Sequence, residues 1–223
     1  MKTVICDNSL STQKINYGIT PELIYKYITA LGDLGVTYVE IDHNIALKMP
    51  ELPDNVKYIY RVSDPMFMAV MDMFDFDYVL LTPDTLDPKH IPSCPVIFEL
   101  EGYSASDKMT LNLANSVLKR KISLVQFNSC FGLRCNIAGR QLDMLKQEDV
   151  TKFVRTLKNM ITVPISFCAH DNSRNALDFS MKAINARVDM ITFGLGACEE
   201  YAALDEYLFR KMVFTHDDRA VME

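Results

Sequence analysis

Short β-rich runs recur eight times along the chain, at Thr3–Cys6, Tyr38–Ile41, Tyr58–Arg61, Tyr78–Leu81, Val96–Leu100, Ser123–Phe127, Ile165–Cys168 and Met190–Phe193, and most are followed by a helical pattern. Runs such as Val96-Ile97-Phe98 and Met190-Ile191-Thr192-Phe193 are nearly continuous in apolar residues. That suits parallel strands covered on both faces. Eight strand–helix units in 223 residues predict a compact (β/α)8 TIM barrel of the α/β class, a single domain over residues 1–223. The competing fold is an open doubly wound sheet. Its dinucleotide-binding form needs Gly-x-Gly-x-x-Gly after the first strand, and Cys6-Asp7-Asn8-Ser9-Leu10-Ser11 stands there instead.

The first helix carries the clearest signals. Thr20 suits its cap, Pro21 its first turn, and Glu22 the positive end of its dipole. Leu23, Ile24, Tyr27, Ile28, Leu31 and Leu34 form one apolar stripe, and Gly35 suits the left-handed stop. Further helices are predicted at Pro65–Phe74, Lys108–Leu118, Glu148–Met160, Asn175–Arg187 and Glu199–Met212, with room for a short one between the second and third strands. Met and Phe residues on these helices are read as core.

Composition narrows the function. Hydrophobic residues make up 49% and charged ones 23%, enough for a large core. The net charge is -6 and no basic stripe occurs, which argues against nucleic acid as a partner. Lys119-Arg120-Lys121 reads as a helix C-terminus. No apolar run reaches the roughly 18 residues of a membrane helix, and the N-terminus lacks the apolar stretch of a signal peptide. Six irregularly spaced cysteines read as reduced thiols, so a cytoplasmic protein is expected. Only Cys130 and Cys135 are close together, which does not make a structural zinc site.

In a barrel, chemistry belongs at the C-terminal strand ends. Those ends carry Asp7, Asn8 and Ser9; Glu40, Asp42 and His43; Arg61 and Asp64; Thr82 and Asp84; Glu99 and Glu101; Gln126, Asn128, Ser129 and Cys130; Cys168, His170, Asp171 and Asn172; and Gly194, Gly196 and Cys198. Cys168 and His170 are two apart and face the same way if the strand persists. With Asp7 they offer S, N and O ligands to a divalent ion. The plainer reading is that Asp, Asn and Ser cap the following helices. Gly194-Leu195-Gly196 reads either as a backbone anion cradle or as simple turn geometry. Cys198 reads as a nucleophile or acid, or as a small buried hydrophobe.

These residues resemble the DRE-TIM metallolyase, or HMG-CoA-lyase-like, superfamily, which includes homocitrate synthase, 2-isopropylmalate synthase and HMG-CoA lyase. The family opens with D-x-T-L-R-D-G-x-Q and a "GVDYIE" strand; Asp7–Gln13 reads DNSLSTQ and Gly35–Asp42 reads GVTYVEID. The family's H-x-H-N-D and "GAD" correspond to Cys168–Asn172, CAHDN, and to Arg187-Val188-Asp189. The lyase's "GLGGCPYA" corresponds to GLGACEEYA from Gly194.

The resemblance implies a divalent metal (Mg, Mn or Zn) on Asp7, His170 and Cys168, the last standing in for a histidine, and acyl-CoA as a co-substrate. It implies Glu40 orienting groups in the site and Cys198 transferring a proton, with His43 as a weaker acid/base candidate. Arg61, Asn128, Gly194 and Gly196 are candidate substrate contacts. The chain departs from the pattern at Ser11, where the family has the arginine that polarises the substrate carbonyl, and at Thr12, where it has aspartate. The family's asparagine ligand and C-terminal extension have no match, so a barrel-only, degenerate member is expected.

Three functional expectations follow. The first is a metal-dependent acyltransferase or lyase that makes or breaks a carbon–carbon bond on a 2-oxo acid or related acyl substrate. The second is a catalytically degenerate barrel that partners a complete synthase or binds a small ligand. The third is a metal-free barrel enzyme that holds a phosphorylated substrate at the glycine turn, with Arg61 or Arg174 as anion contacts. A small carboxylate is the expected ligand, and a homodimer the expected assembly.

Overall fold

The structure is a computed structural model, and it describes residues 2–12, 19–49, 51–71, 73–100, 105–129, 135–137, 140–142, 147–169, 176–194, 203–204 and 207. The chain runs β1 (Val4–Asp7), α1 (Ser9–Thr12), α2 (Pro21–Asp33), β2 (Tyr38–Ile41), α3 (His43–Lys48), β3 (Lys57–Arg61), α4 (Met68–Met71), β4 (Tyr78–Leu81), β5 (Val96–Leu100) and α5 (Ala105–Val117). It continues through β6 (Ile122–Ser129), β7 (Cys135–Ile137), β8 (Arg140–Leu142), α6 (Gln147–Met160), β9 (Ile165–Ala169), α7 (Ala176–Asn185) and β10 (Met190–Phe193).

Eight parallel strands close in the order β1-β10-β9-β6-β5-β4-β3-β2. They are the eight expected from the sequence. Strands β7 and β8 form a separate antiparallel pair that the sequence reading did not foresee. The helix expected at Pro65–Phe74 is a 3-10 turn, Pro65–Phe67, running into the four-residue α4. Asp64 starts that turn by accepting a hydrogen bond from the Met66 amide. The helix expected at Glu199–Met212 lies largely outside the described residues. No described helix is long and apolar enough to cross a membrane.

Closure gives each strand two buried faces. One face meets the helices. Val39, Ile41, Tyr60, Phe98, Phe127, Phe167, Ile191 and Phe193 lie there, packed with Ile24, Ile28, Leu31, Phe153 and Leu157. Helix α2 thus buries Ile24, Ile28 and Leu31 and half-buries Tyr27, while Leu23 and Leu34, expected in its apolar stripe, stay exposed. The other face fills the barrel: Cys6, Ile59, Leu80, Ile97, Leu124 and Met190 pack together, with Val4, Tyr38 and Tyr78 beside them.

Three helices stop in the same way. After α2, Gly35 donates to Gly32 O and Val36 to Leu31 O. After α5, Lys119 donates to Ser116 O and Arg120 to Asn115 O; after α7, Arg187 donates to Ile184 O and Val188 to Ala183 O. Each pair is a Schellman motif, whose turning residue sits in the left-handed region. Gly35 has φ 85°, but Lys119 has φ 50° and Arg187 φ 65°. A Cβ in that region costs roughly 1–2 kcal/mol, partly offset in a glycine variant by the floppier unfolded chain. Both side chains are exposed, so no packing is lost with them. Lys119→Gly and Arg187→Gly are therefore each expected to stabilise the fold by about 0.5–1 kcal/mol. Urea unfolding checks this; an unchanged or lower midpoint would show that the left-handed residue is not strained.

Candidate functional site at the barrel mouth

Strand alternation decides which strand-end residues line the barrel. Two residues beyond the interior side chains Tyr38, Ile59, Ile97, Leu124 and Met190 come Glu40, Arg61, Glu99, Gln126 and Thr192. These form a polar layer on the C-terminal side of the apolar one. Glu40, Glu99, Gln126, Ser166 and Thr192 are buried.

The layer is one hydrogen-bonded network. Arg61 Nε donates to Glu40 Oε1 at 2.5 Å, and its Nη1 and Nη2 donate to Glu99 Oε1 and Oε2 at 3.0 and 2.6 Å. Ser11 Oγ donates to the same Glu40 Oε1 at 2.5 Å. Gln126 Nε2 donates to Glu99 Oε2 at 2.8 Å, and Gln126 Oε1 accepts from Ser166 Oγ and Thr192 Oγ1 at 3.1 and 3.2 Å. The chain of bonds links α1 with β2, β3, β5, β6, β9 and β10.

Charge in this layer is not evenly shared. Burial raises the Glu40 pKa, Arg61 opposes the rise, and Glu99 adds to it. Its Oε1 accepts two donors, whereas its Oε2 is buried with no hydrogen-bond partner. Burial works against the charge of Arg61, but Glu40 and Glu99 more than offset it and hold the guanidinium ionised.

Of the expected metal ligands, the structure describes Asp7 and Cys168. Asp7 is level with Phe193, whose ring lies in the outer core, whereas Cys6 is level with Thr192 and Cys168. Asp7 therefore points to the helix side of the wall and Cys168 to the interior. The Asp7 carboxylate accepts from Ser9 N, Ser9 Oγ and Tyr27 Oη at 3.1, 3.0 and 3.1 Å, so it shapes the start of α1 and ties it to α2. Cys168 Sγ lies 3.8 Å from Asn8 Nδ2. Among the described residues no group of three or more His, Cys, Asp or Glu side chains is arranged to hold a metal ion. Asp7 and Cys168 by themselves do not make a site for a divalent cation, and Arg61 brings a fixed positive charge to the described part of the mouth. His170, Gly196 and Cys198 lie outside the described residues.

The remaining candidates divide. Arg61 and Glu40 stand in the network. His43 does not: its ring stacks flat on Phe67, centroids 3.6 Å apart and planes 9° apart. Asp42 caps α3 by accepting from Ile45 N at 3.0 Å, as its residue type suggests. Asn128 is level with Cys168 on β6. Gly194 O accepts from Leu204 N at 3.0 Å. Glu99 and Gln126, noticed at strand ends but given no role from sequence, are the second clamp on Arg61 and its support. The signal for them is positional, since each follows an interior apolar residue by two.

Burial raises the Asp7 carboxyl to about 6, against the pull of its hydrogen bonds to Ser9 and Tyr27. A carboxyl whose folded pKa exceeds its unfolded value binds more protons when folded, so stability falls as pH rises toward 6. Asp7→Asn removes that share. The stability difference between pH 4.5 and 7.5 is expected to shrink by about 2 kcal/mol in the variant, read by urea unfolding at both pH values. An identical difference in both proteins would show that Asp7 does not titrate in this window.

No family model matches the chain. Over 191 residues it is 22% identical to the homocitrate synthase omega subunit of Clostridium pasteurianum, a match covering 82% of this chain and 51% of that protein. The chain thus spans about half the length of this curated relative. Its fold is similar to that of an Acinetobacter baumannii HMG-CoA lyase solved with coenzyme A and 3-methylmalate, with TM-score 0.65 at 10% identity over 91% of this chain and 76% of that one. It is also similar to the carboxyl transferase domain of Rhizobium etli pyruvate carboxylase solved with pyruvate, with TM-score 0.58 at 14% identity over 92% of this chain and 42% of that one. The structural likenesses show a shared barrel. The sequence match and the shared barrel support the resemblance to the DRE-TIM metallolyase, or HMG-CoA-lyase-like, superfamily.

Proposed function

We propose that the chain is a homocitrate synthase-like enzyme that makes or breaks a carbon–carbon bond beside the carbonyl of a small 2-oxo acid or related acyl substrate. The observation that carries this reading is the buried Glu40–Arg61–Glu99 cluster at the C-terminal side of the barrel. Buried ionic groups are a weak source of stability and cost several kcal/mol per ion in lost hydration. A barrel interior is filled more stably by apolar side chains, so charges held there with one carboxyl oxygen unpartnered point to chemistry. The similarity to a homocitrate synthase subunit, and to barrels solved with coenzyme A and with pyruvate, supports acyl-CoA and a 2-oxo acid as the substrate classes.

In this reading Glu40 Oε2 gives a proton to, or takes one from, a substrate oxygen at the mouth. Gln126 and Glu99 keep the layer in register. A divalent ion belongs to the superfamily's chemistry, but the described residues do not compose a site for one.

The test is a panel of acyl-CoA and 2-oxo acid pairs with the purified chain, following release of free CoA thiol. Each pair is assayed with Mg²⁺, Mn²⁺ or Zn²⁺ and with metal chelated. Turnover is expected for at least one pair, falling by about a hundredfold in Glu40→Gln. A folded protein that turns over no pair overturns the enzymatic reading. The second reading, a barrel that partners a complete synthase, then stands in its place. It is favoured by Ser11 and Thr12 standing where the family has arginine and aspartate, and by the relative's being named as one subunit. That reading expects free CoA release by a complete synthase to change when this chain is added.

A further inference from the structure

The end of the barrel away from the mouth has an order of its own. All eight barrel strands are parallel, so the loops that lead into them share one face. That face carries opposite charge on opposite sides. Glu51 and Asp54 precede β3, and Asp75 and Asp77 precede β4, with Lys57 among them. Lys119, Arg120 and Lys121 precede β6, and Arg187 precedes β10. Lys158 belongs with this second group: its Nζ donates to Arg187 O and lies 3.4 Å from Asp189 Oδ1. Around the closed sheet β3 stands four strands from β9, and β4 four from β10. The acidic and basic sides therefore face each other across the barrel.

We propose that this N-terminal face is the interface between two copies of the chain. A two-fold axis lying across the face seats the basic side of each copy on the acidic side of the other.

The charges on both sides are unspent. Glu51, Asp54 and Asp75, and Lys119, Arg120 and Arg187, are exposed, and none of them makes an ion pair among the described residues. Shape matches charge. The acidic side is a groove of about 380 Å³ between the loops before β3 and β4, walled in part by Leu52, Val56 and Phe74. The basic side carries an apolar projection, Met160, which ends the helix leading into β9 and is 51% exposed. The axis brings Met160 of each copy toward the groove of the other, so apolar burial adds to the charge contacts. Symmetry selects the occupant. A partner of one charge sign satisfies half of the face, whereas a second copy satisfies both halves at once, as an isologous contact requires. Pairing here leaves both mouths open at the far ends of the assembly, whatever their chemistry.

Sedimentation velocity of the full chain over a range of concentrations tests the interface. A dimer is expected at about 0.05 M salt, weakened at least about tenfold at about 1 M, where the screening length falls to about 3 Å. Asp54→Lys/Asp75→Lys and Arg120→Glu/Arg187→Glu alter exposed residues, and both are expected to fold. Each alone sets like charges against one another at both contacts and is expected to weaken the dimer at least about tenfold. Mixed in equal amounts, the two variants join opposite charges at both contacts. They are expected to form a heterodimer within about tenfold of the wild-type affinity. A wild type that stays monomeric at low salt overturns the interface, as does a dimer indifferent to salt. So does a dimer that either folded variant leaves intact, or two folded monomeric variants whose mixture stays monomeric. The salt series on wild type decides the matter even where a variant does not fold.

Discussion

A closed parallel sheet leaves no strand face for water, and this constraint governs the whole molecule. The outer face of each strand is covered by helices, so it takes Val, Ile, Leu and Phe almost without exception. The inner face has room for a few side chains per level. Cys6, Ile59, Leu80, Ile97, Leu124 and Met190 close one level, and the next must be filled too. At that next level the chain changes from apolar to polar on six strands at once, from Glu40 to Thr192. A polar level inside a barrel is stable only when its members bond to one another. That is why glutamine, serine and threonine accompany the charges: Gln126 donates to Glu99, and Ser166 and Thr192 donate in turn to Gln126.

The ionic members of this level set its chemistry. One cation against two carboxylates in a dry layer leaves an uncompensated negative charge, and Coulomb energies of order 4 kcal/mol at contact distance do not permit that lightly. The cost falls most on Glu40, which is fully buried, shares its arginine with Glu99 and has one oxygen without a donor, and its pKa is raised by that burial. The pair of glutamates is therefore asymmetric. Glu99 takes the bidentate bond from Nη1 and Nη2, whereas Glu40 takes a single bond through Nε and keeps one oxygen without a donor.

Much of the fold was legible because burial on both faces leaves a plain mark: every barrel strand is a short apolar run with β-branched or aromatic residues. Helix α2 was legible through Thr20, Pro21 and Gly35, each with its own backbone reason. The β7–β8 pair was not, because three-residue strands carry too little periodicity. Nor was the shortness of α4, where the Asp64-capped 3-10 turn uses up residues that a helical pattern alone assigns to one helix. The site was legible as a set of residues but not as a set of directions. Asp7 and Cys6 are adjacent, and a single step along the strand separates the helix side from the interior. Counting from the apolar interior positions finds Glu40, Arg61, Glu99 and Gln126, and it sets Asp7 aside.

The departures from the family pattern then have two kinds of consequence. Arg187 stands where the family's "GAD" has glycine, and it falls on the left-handed residue of a helix stop. Such a change acts on stability and leaves the mouth untouched. Ser11 stands where the family has arginine, and it falls on Glu40, at the centre of the polar level. A glutamate buried at that level without a cation would be an unpaired charge or an unsatisfied acid, either of them costly. Beside Ser11, Arg61 reaches Glu40 from β3 and gives it a cation. The carboxylates of Glu40 and Glu99 and the guanidinium of Arg61 form one electrostatic unit that joins β2, β3 and β5.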